Sequence, residues 1–188
     1  LHTETGPGVS EAANLFSDAL EQADGAIVFK TAAEEVAARF DIMPSFMAKW
    51  SARYPGCSGH IHQSLSDGKV NRFYDPKGRH GMSKLFESYL AGQVDTLMQF
   101  APMFWPTINS YKRLVDGFWA PVKPTWGIDN RTASFRVIPG GAKSTRLETR
   151  CPGADVNPYL ALAACIAAGM HGIEKAMKLT TAPIHGTN

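Results

Sequence analysis

The 188 residues carry 44% hydrophobic and 19% charged side chains, ordinary globular proportions that exclude a disordered chain and suffice for one domain with a real core. A formal net charge of +2 is too small to point to nucleic acid or to a membrane surface. Three cysteines, Cys57, Cys151 and Cys165, without CxxC spacing, fit free thiols in a reducing compartment better than a disulfide framework or a zinc ribbon. No stretch reads as a signal peptide or as an apolar run long enough to span a bilayer, so a cytoplasmic setting is expected. The chain opens at Leu1 and is inside a motif by His2, which reads as a piece of a longer protein.

In chain order, Glu4 and Glu11 flank a Gly6-Pro7-Gly8 turn that can fold back and bring both carboxylates to one point, a donor set for a hard cation such as Mg²⁺ or Mn²⁺. Two solvated glutamates beside a turn is the plainer reading of that stretch alone. Apolar residues from Leu15 to Phe40 recur near the 3.6 period, which predicts a helix over 14–40. Met43 to Trp50 reads as a short buried strand. Gly56-Cys57-Ser58-Gly59-His60-Ile61-His62-Gln63-Ser64 follows. If extended, it puts His60 and His62 on one face, where one imidazole can hold a metal and the other can face a substrate. Two half-exposed strand histidines would look the same. Ser66-Asp67-Gly68-Lys69 is a hairpin-type turn, and 70–82 is loop.

Ser83 is an N-cap for a helix whose apolar stripe runs from Leu85 to about Phe100. The breaker-rich stretch 101–126 contains Asn109-Ser110-Tyr111-Lys112-Arg113-Leu114 in loop or short helix. A strand is predicted over Asn130 to Val137, and Pro139-Gly140-Gly141 turns the chain into Lys143-Ser144-Thr145-Arg146-Leu147-Glu148-Thr149-Arg150. There Arg146, Glu148 and Arg150 share a face at period two. Burying such a face is costly unless an anion and a cation sit on it, and a phosphate with a divalent metal answers both demands. Asn157 with Pro158 opens a final Ala-rich helix to about Lys178, predicted to be well buried.

The order of these motifs resembles the catalytic domain of glutamine synthetases, over about residues 2 to 175. The motifs are the glutamate pair, His-x-His-x-Ser, Asn-x-Tyr-Lys-Arg-Leu, Asn-Arg-Thr-Ala-x-x-Arg, Arg-x-Glu-x-Arg and Asn-Pro-Tyr-Leu. The resemblance implies an α+β fold, a curved antiparallel sheet flanked by helices, present here as a partial domain. It implies that Glu4 and Glu11 bind a first divalent ion and that His60 and Glu148 bind a second. His62 would contact glutamate. Arg113 and Arg150 would handle substrate carboxylates and, with Arg131, the transferred phosphoryl group. Arg136, Lys143 and Arg146 would line the nucleotide phosphates, with Ser64 near the nucleotide and Phe16 packed on adenine. Two or three Mg²⁺ or Mn²⁺ ions per site and ATP as co-substrate follow from the same resemblance, as does a homo-oligomeric ring in the whole protein. Members of the family carry an N-terminal β-grasp domain and an earlier acidic strand that binds both metals; both are expected to be absent from this chain, and the fragment alone is expected to be inactive.

Three departures from the family pattern stand out. Cys57 opens the Gly-Ser-Gly-type run, and the glutamate pair is one residue closer than in many members, with Val9 where Gln is usual. Trp119 in Asp116-Gly117-Phe118-Trp119-Ala120-Pro121 takes the place of a glutamate that helps to hold ammonium, and an indole offers an apolar face instead of an acceptor oxygen. The expected activity is thus ATP-dependent joining of ammonia or a small amine to the γ-carboxylate of glutamate. A synthetase specific for a larger amine, or a non-catalytic structural relative, is the alternative; a guanidino kinase lacks the support of the His-x-His and Asn-Pro-Tyr-Leu motifs. The plainer alternative is that Trp119 only props the flap and that another carboxylate, Asp116 or one from the missing domain, serves the ammonium.

Overall fold

A computed structural model of the chain describes residues 1–118, 120, 121 and 123–186. The architecture is α+β. A two-stranded hairpin, β1 (His2–Thr3) with β2 (Ser10–Glu11), leads into α1 (Ala19–Ala38). A four-stranded sheet in the order β3-β6-β5-β4 is built from β3 (Ile61–Gln63), β4 (Trp126–Ile128), β5 (Phe135–Ile138) and β6 (Arg146–Thr149). Helices α2 (Lys84–Thr96) and α5 (Pro158–Glu174) pack on its back, and α3 (Ala101–Phe104) and α4 (Ile108–Lys112) are short connectors. The sheet is mixed: β3–β6 and β6–β5 are antiparallel, whereas β5–β4 is parallel, so the expected all-antiparallel sheet needs that correction.

The core lies between the sheet and α2–α5, around Phe73, Phe86, Tyr89, Leu90, Trp126, Phe135, Val137 and Leu147. Ser83 caps α2 by accepting from the Phe86 N–H at 3.1 Å, and Asn157 caps α5 by accepting from the Tyr159 and Leu160 N–H groups. The two helices touch backbone to backbone. A Cβ on Gly92 would stand 2.1 Å from the Ala168 carbonyl oxygen, and one on Gly172 would stand 2.0 Å from that of Ser88. Only glycine fits at this crossing.

Several boundaries differ from the sequence reading. The first helix starts at Ala19, not near 14, and Leu15 and Phe16 ahead of it are 91% and 98% exposed. Residues 43–50 form no strand. Pro44 withholds a donor, the Ala48 carbonyl accepts from Cys57 N–H, and the Lys49 backbone bonds in both directions to the Asn109 side chain. The helix after Ser83 stops at Thr96, short of Phe100. The strand predicted from Asn130 begins at Phe135, because the Asn130 side chain accepts from the Thr132 N–H and hydroxyl and holds a turn there. Helix α5 buries one face only, leaving Leu160, Ile166 and Met170 partly exposed. Ala23 is the one buried residue of α1, whose Leu20, Val28 and Val36 face outward.

Candidate active site

Strand pairing assembles the site. In the register of β3, β6 and β5, His62 lies opposite Glu148, and Glu148 lies opposite Arg136. The three side chains therefore line up across one face of the sheet, while Leu147 and Val137 point to the core. Glu148 is nearly sealed, its side chain 3% exposed. Its Oε2 accepts from Arg136 Nη1 at 2.9 Å, and its Oε1 accepts from Arg150 Nη1 at 2.6 Å. Two guanidinium groups thus share one buried carboxylate, and Arg136 has a second partner in the exposed Asp129 carboxylate.

Both histidines turn toward the same oxygen. His60 Nδ1 is 3.2 Å and His62 Nε2 is 3.7 Å from Glu148 Oε1. Burial pushes the His60 imidazole well below its ordinary pKa, with the charges of Arg150 and Arg113 adding to the effect. His62 is lowered too, chiefly by burial, while Glu148 pulls the other way. Arg146 Nε donates to His62 Nδ1 at 3.1 Å, which leaves the proton of the neutral ring on Nε2, the nitrogen aimed at Glu148.

The sequence reading singled out the hairpin as a second half of the site. The structure places ligand atoms of His2, Glu4 and Glu11 within 4.8 Å of one another, all three exposed. The Glu11 carboxyl is held above its usual range by burial first, then by the hydrogen bond and charge of Glu4. Glu148 also contributes to that rise, so the hairpin and the sheet cluster lie within electrostatic reach. These donors suit a divalent cation: two carboxylates and an imidazole in one group, and in the other a neutral His60 whose buried Nε2 has no hydrogen-bond partner.

The remaining candidates are spread out. Arg113 is 1% exposed and donates to the carbonyl oxygens of Cys151 and Arg150 and to Ser58 Oγ, so it braces the chain leaving β6 against the loop before β3. Arg131 is exposed. Its carbonyl accepts from Arg150 Nε at 2.9 Å, and its side chain lines a cavity of about 310 Å³ with Asp129, Thr132, Ile184 and His185. Ser64 and Lys143 are exposed at the ends of their segments, and Phe16 projects into solvent ahead of α1. Trp119 lies outside the described residues; Asp116, near it in sequence, is exposed.

Two site neighbours escaped the sequence reading. His2 shares the face of Glu4 at period two, a signal that was available. Asp129 was not accessible that way: it sits at a left-handed φ of 48° after β4 and accepts from Arg136 Nε at 3.0 Å, a contact that exists only once β4 and β5 are paired.

Among known families, the model of the glutamine synthetase catalytic domain matches residues 1–186. The chain is 55% identical over its whole length to type-1 glutamine synthetase 2 of Dictyostelium discoideum, covering 36% of that protein. It is 44% identical to a gamma-glutamylethanolamide synthetase of Streptomyces coelicolor and 42% identical to a glutamate–isopropylamine ligase of a Pseudomonas species. In both of these, 94% of this chain is aligned, to 37% and 39% of the relative respectively. The chain thus spans less than two fifths of the length of these relatives, all of them carbon–nitrogen ligases by name. It belongs to the glutamine synthetase family, as a portion of the catalytic domain.

Proposed function

We propose that the protein carrying this chain is an ATP-dependent ligase. It joins ammonia or an amine to the γ-carboxylate of glutamate through a γ-glutamyl phosphate. The observation that carries this reading is the buried Arg136–Glu148–Arg150 cluster beside two neutral histidines. A scaffold protein has no physical need to bury that set, whereas phosphoryl transfer needs several fixed cations around developing negative charge. Glu4 and Glu11 on the hairpin, and His60 and Glu148 on the sheet, are the residues that would hold divalent ions, Mg²⁺ or Mn²⁺. When bound, such ions supply charge neutralisation at the phosphates.

The chain's own residues have roles compatible with their placement. Arg136 and Arg146 sit on the open face of the sheet, where nucleotide phosphates would meet them, with Lys143 at its rim. His62, held in one tautomer by Arg146, orients the glutamate. Arg150 and Arg131 stabilise the phosphoryl group in transit. Arg113 would serve a substrate carboxylate only by giving up one of its present partners; as placed, it holds the Arg150 backbone in position. The test is phosphate release from ATP by the full-length protein, dependent on both glutamate and an amine. Release that persists without the amine, or none with any amine, would sink the reading.

The identity of the amine is a further part of the proposal. Trp119 in place of a carboxylate points to an alkylamine rather than ammonia, and two of the relatives are named for isopropylamine and ethanolamide chemistry. Losing a charge-assisted hydrogen bond to ammonium corresponds to roughly 2–3 kcal/mol, or about 30- to 150-fold. Burial of alkyl carbons against the indole recovers part of that loss. Competition of ammonium against methylamine, ethylamine and putrescine, read as kcat/KM on the full-length protein, decides it. A wide margin for ammonium would make the protein a glutamine synthetase in the strict sense.

A further inference from the structure

Behind the site, on the core face of the same two strands, lies a polar cluster in otherwise apolar surroundings. Gln63 Nε2 donates to Thr149 Oγ1 at 2.8 Å, and Thr149 Oγ1 donates to Gln93 Oε1 at 2.8 Å. Gln93 Nε2 returns to Gln63 Oε1 at 3.0 Å, which closes a ring of three bonds all running in one sense. Tyr89 Oη donates to Gln63 Oε1 at 2.6 Å, and Gln93 Nε2 also reaches the Cys165 carbonyl of α5 at 3.1 Å. Gln93 and Tyr89 on α2 are 2% and 1% exposed, and Thr149 is fully buried. No atom of this ring is among the buried polar atoms left without a partner.

Such a ring is an odd choice for filling a core. Buried amides gain little net stability over well-packed apolar side chains, and they fail badly if any bond is lost. Its location suggests what it does. Strand β3 has three residues, with Ile61 its one apolar residue on the core face, and burial alone specifies the register of so short a strand weakly. The ring supplies what burial does not. Gln63, Thr149 and Gln93 close into the ring with Ile61 opposite Thr149 and Gln63 opposite Leu147, and that same register sets His62 opposite Glu148. A slip of two residues in either sense, which would keep every side chain on its own face, moves Gln63 by roughly 6–7 Å along β6 relative to Gln93 and Tyr89, its partners on α2.

We propose that Gln93 is a positioning residue: from α2 it closes the ring with Gln63 and Thr149, fixes β3 against β6, and so holds His62 and His60 at Glu148. The proposal rests on the ligase reading for its functional meaning, but its structural content is separate. Gln93 touches none of the site side chains and acts through the far side of the sheet.

The test uses the triple variant Q63L/Q93L/T149V, which removes the three ring members together and leaves the Tyr89 hydroxyl its second acceptor, the Cys165 carbonyl at 3.3 Å, with T149S as the variant that keeps the ring. Two quantities are read: NMR cross-strand contacts between the backbone protons of His62 and Glu148, and Mn²⁺ affinity of the chain by electron paramagnetic resonance. The triple variant is expected to remain folded, to lose or shift the His62–Glu148 contacts, and to bind Mn²⁺ about 10- to 100-fold more weakly, the range for loss of a supporting shell. T149S should match the wild type in both. Native contacts together with native Mn²⁺ affinity in the triple variant would overturn the proposal, because the ring would then be filler. If the triple variant does not fold, T149V alone opens the ring with an isosteric side chain and is judged by the same two outcomes. If the wild-type chain binds no Mn²⁺, the ligase reading loses its metal sites while the cross-strand contacts still decide the positioning role.

Discussion

Arg150 and Glu148 stand two positions apart and bond to each other, Nη1 to Oε1 at 2.6 Å, with their side chains 6% and 3% exposed. Burying the pair is tolerable because Arg136 completes it from the next strand. Glu148→Ala should therefore cost about 3–5 kcal/mol, the cost of leaving guanidinium charge buried and uncompensated. Glu148→Gln, which keeps two polar atoms in place, should cost less. Urea midpoints of the two variants check this, and an Ala variant close to the wild type would show that the cluster is open to water.

The contact between α2 and α5 predicts a substitution that runs against helix propensity. Alanine favours a helix over glycine by about 1 kcal/mol, yet a methyl on Gly92 or Gly172 would meet a carbonyl oxygen of the other helix. Backbone cannot yield as a flexible side chain can. Gly92→Ala and Gly172→Ala should each destabilise the chain by about 1–3 kcal/mol, measurable as a lower Tm.

The buried thiols set the alkaline limit. Burial pushes Cys151 up to about 11 and Cys165 up to about 12, from an ordinary value of 9.0. Between 9 and these values the folded chain holds protons that the unfolded chain releases, so the stability they contribute is intact below pH 9 and falls as the pH rises. Each thiol should take away about 1.4 kcal/mol per pH unit from pH 9 upward. Denaturant midpoints at pH 8, 9 and 10 should fall accordingly, and Cys165→Ala should flatten the decline. In iodoacetamide labelling of the folded chain, half-buried Cys57 should react ahead of the other two.

Asn157 gives a smaller prediction. Its side chain accepts from two N–H groups at the start of α5, and Asn157→Ala should cost about 1 kcal/mol. Asn157→Asp should keep most of that, since a carboxylate accepts the same bonds and favours the positive end of the helix. Circular dichroism melts of the two variants separate the outcomes.

What was legible in the sequence follows from how far each signal reaches along the chain. Period two put Arg146, Glu148 and Arg150 on one face and paired His60 with His62 before any strand partner was known, because alternation is a property of a single strand. Caps at Ser83 and Asn157 were legible for the same reason. What brings the site together is longer-range. Nothing near Arg136 says that Asp129 will turn back to it, and nothing near Gln93 says that it will meet strands numbered in the sixties and the hundred-and-forties. The stretch 43–50 was misread as a strand because apolar content was taken for ladder pairing, whereas its backbone groups bond to Cys57 and Asn109. Arg113 sits in the motif where the family pattern puts it, yet its enclosure by the Cys151 and Arg150 carbonyls depends on loop packing that spacing does not encode.

The pairing of β3 with β6 also sets a clock. Gln63 and Thr149 are separated by 86 residues, and the intervening chain includes α2, α3, α4, β4 and β5. At a translation rate of roughly 5–20 residues per second, the His-x-His segment exists for about 4 to 17 seconds before its partner strand has been made. Throughout that interval β3 has an unpaired edge, and the histidines have no carboxylate to face. Synonymous codons that slow or hasten the stretch between them would lengthen or shorten that exposure without changing a single side chain, and the yield of folded protein in the cell should follow.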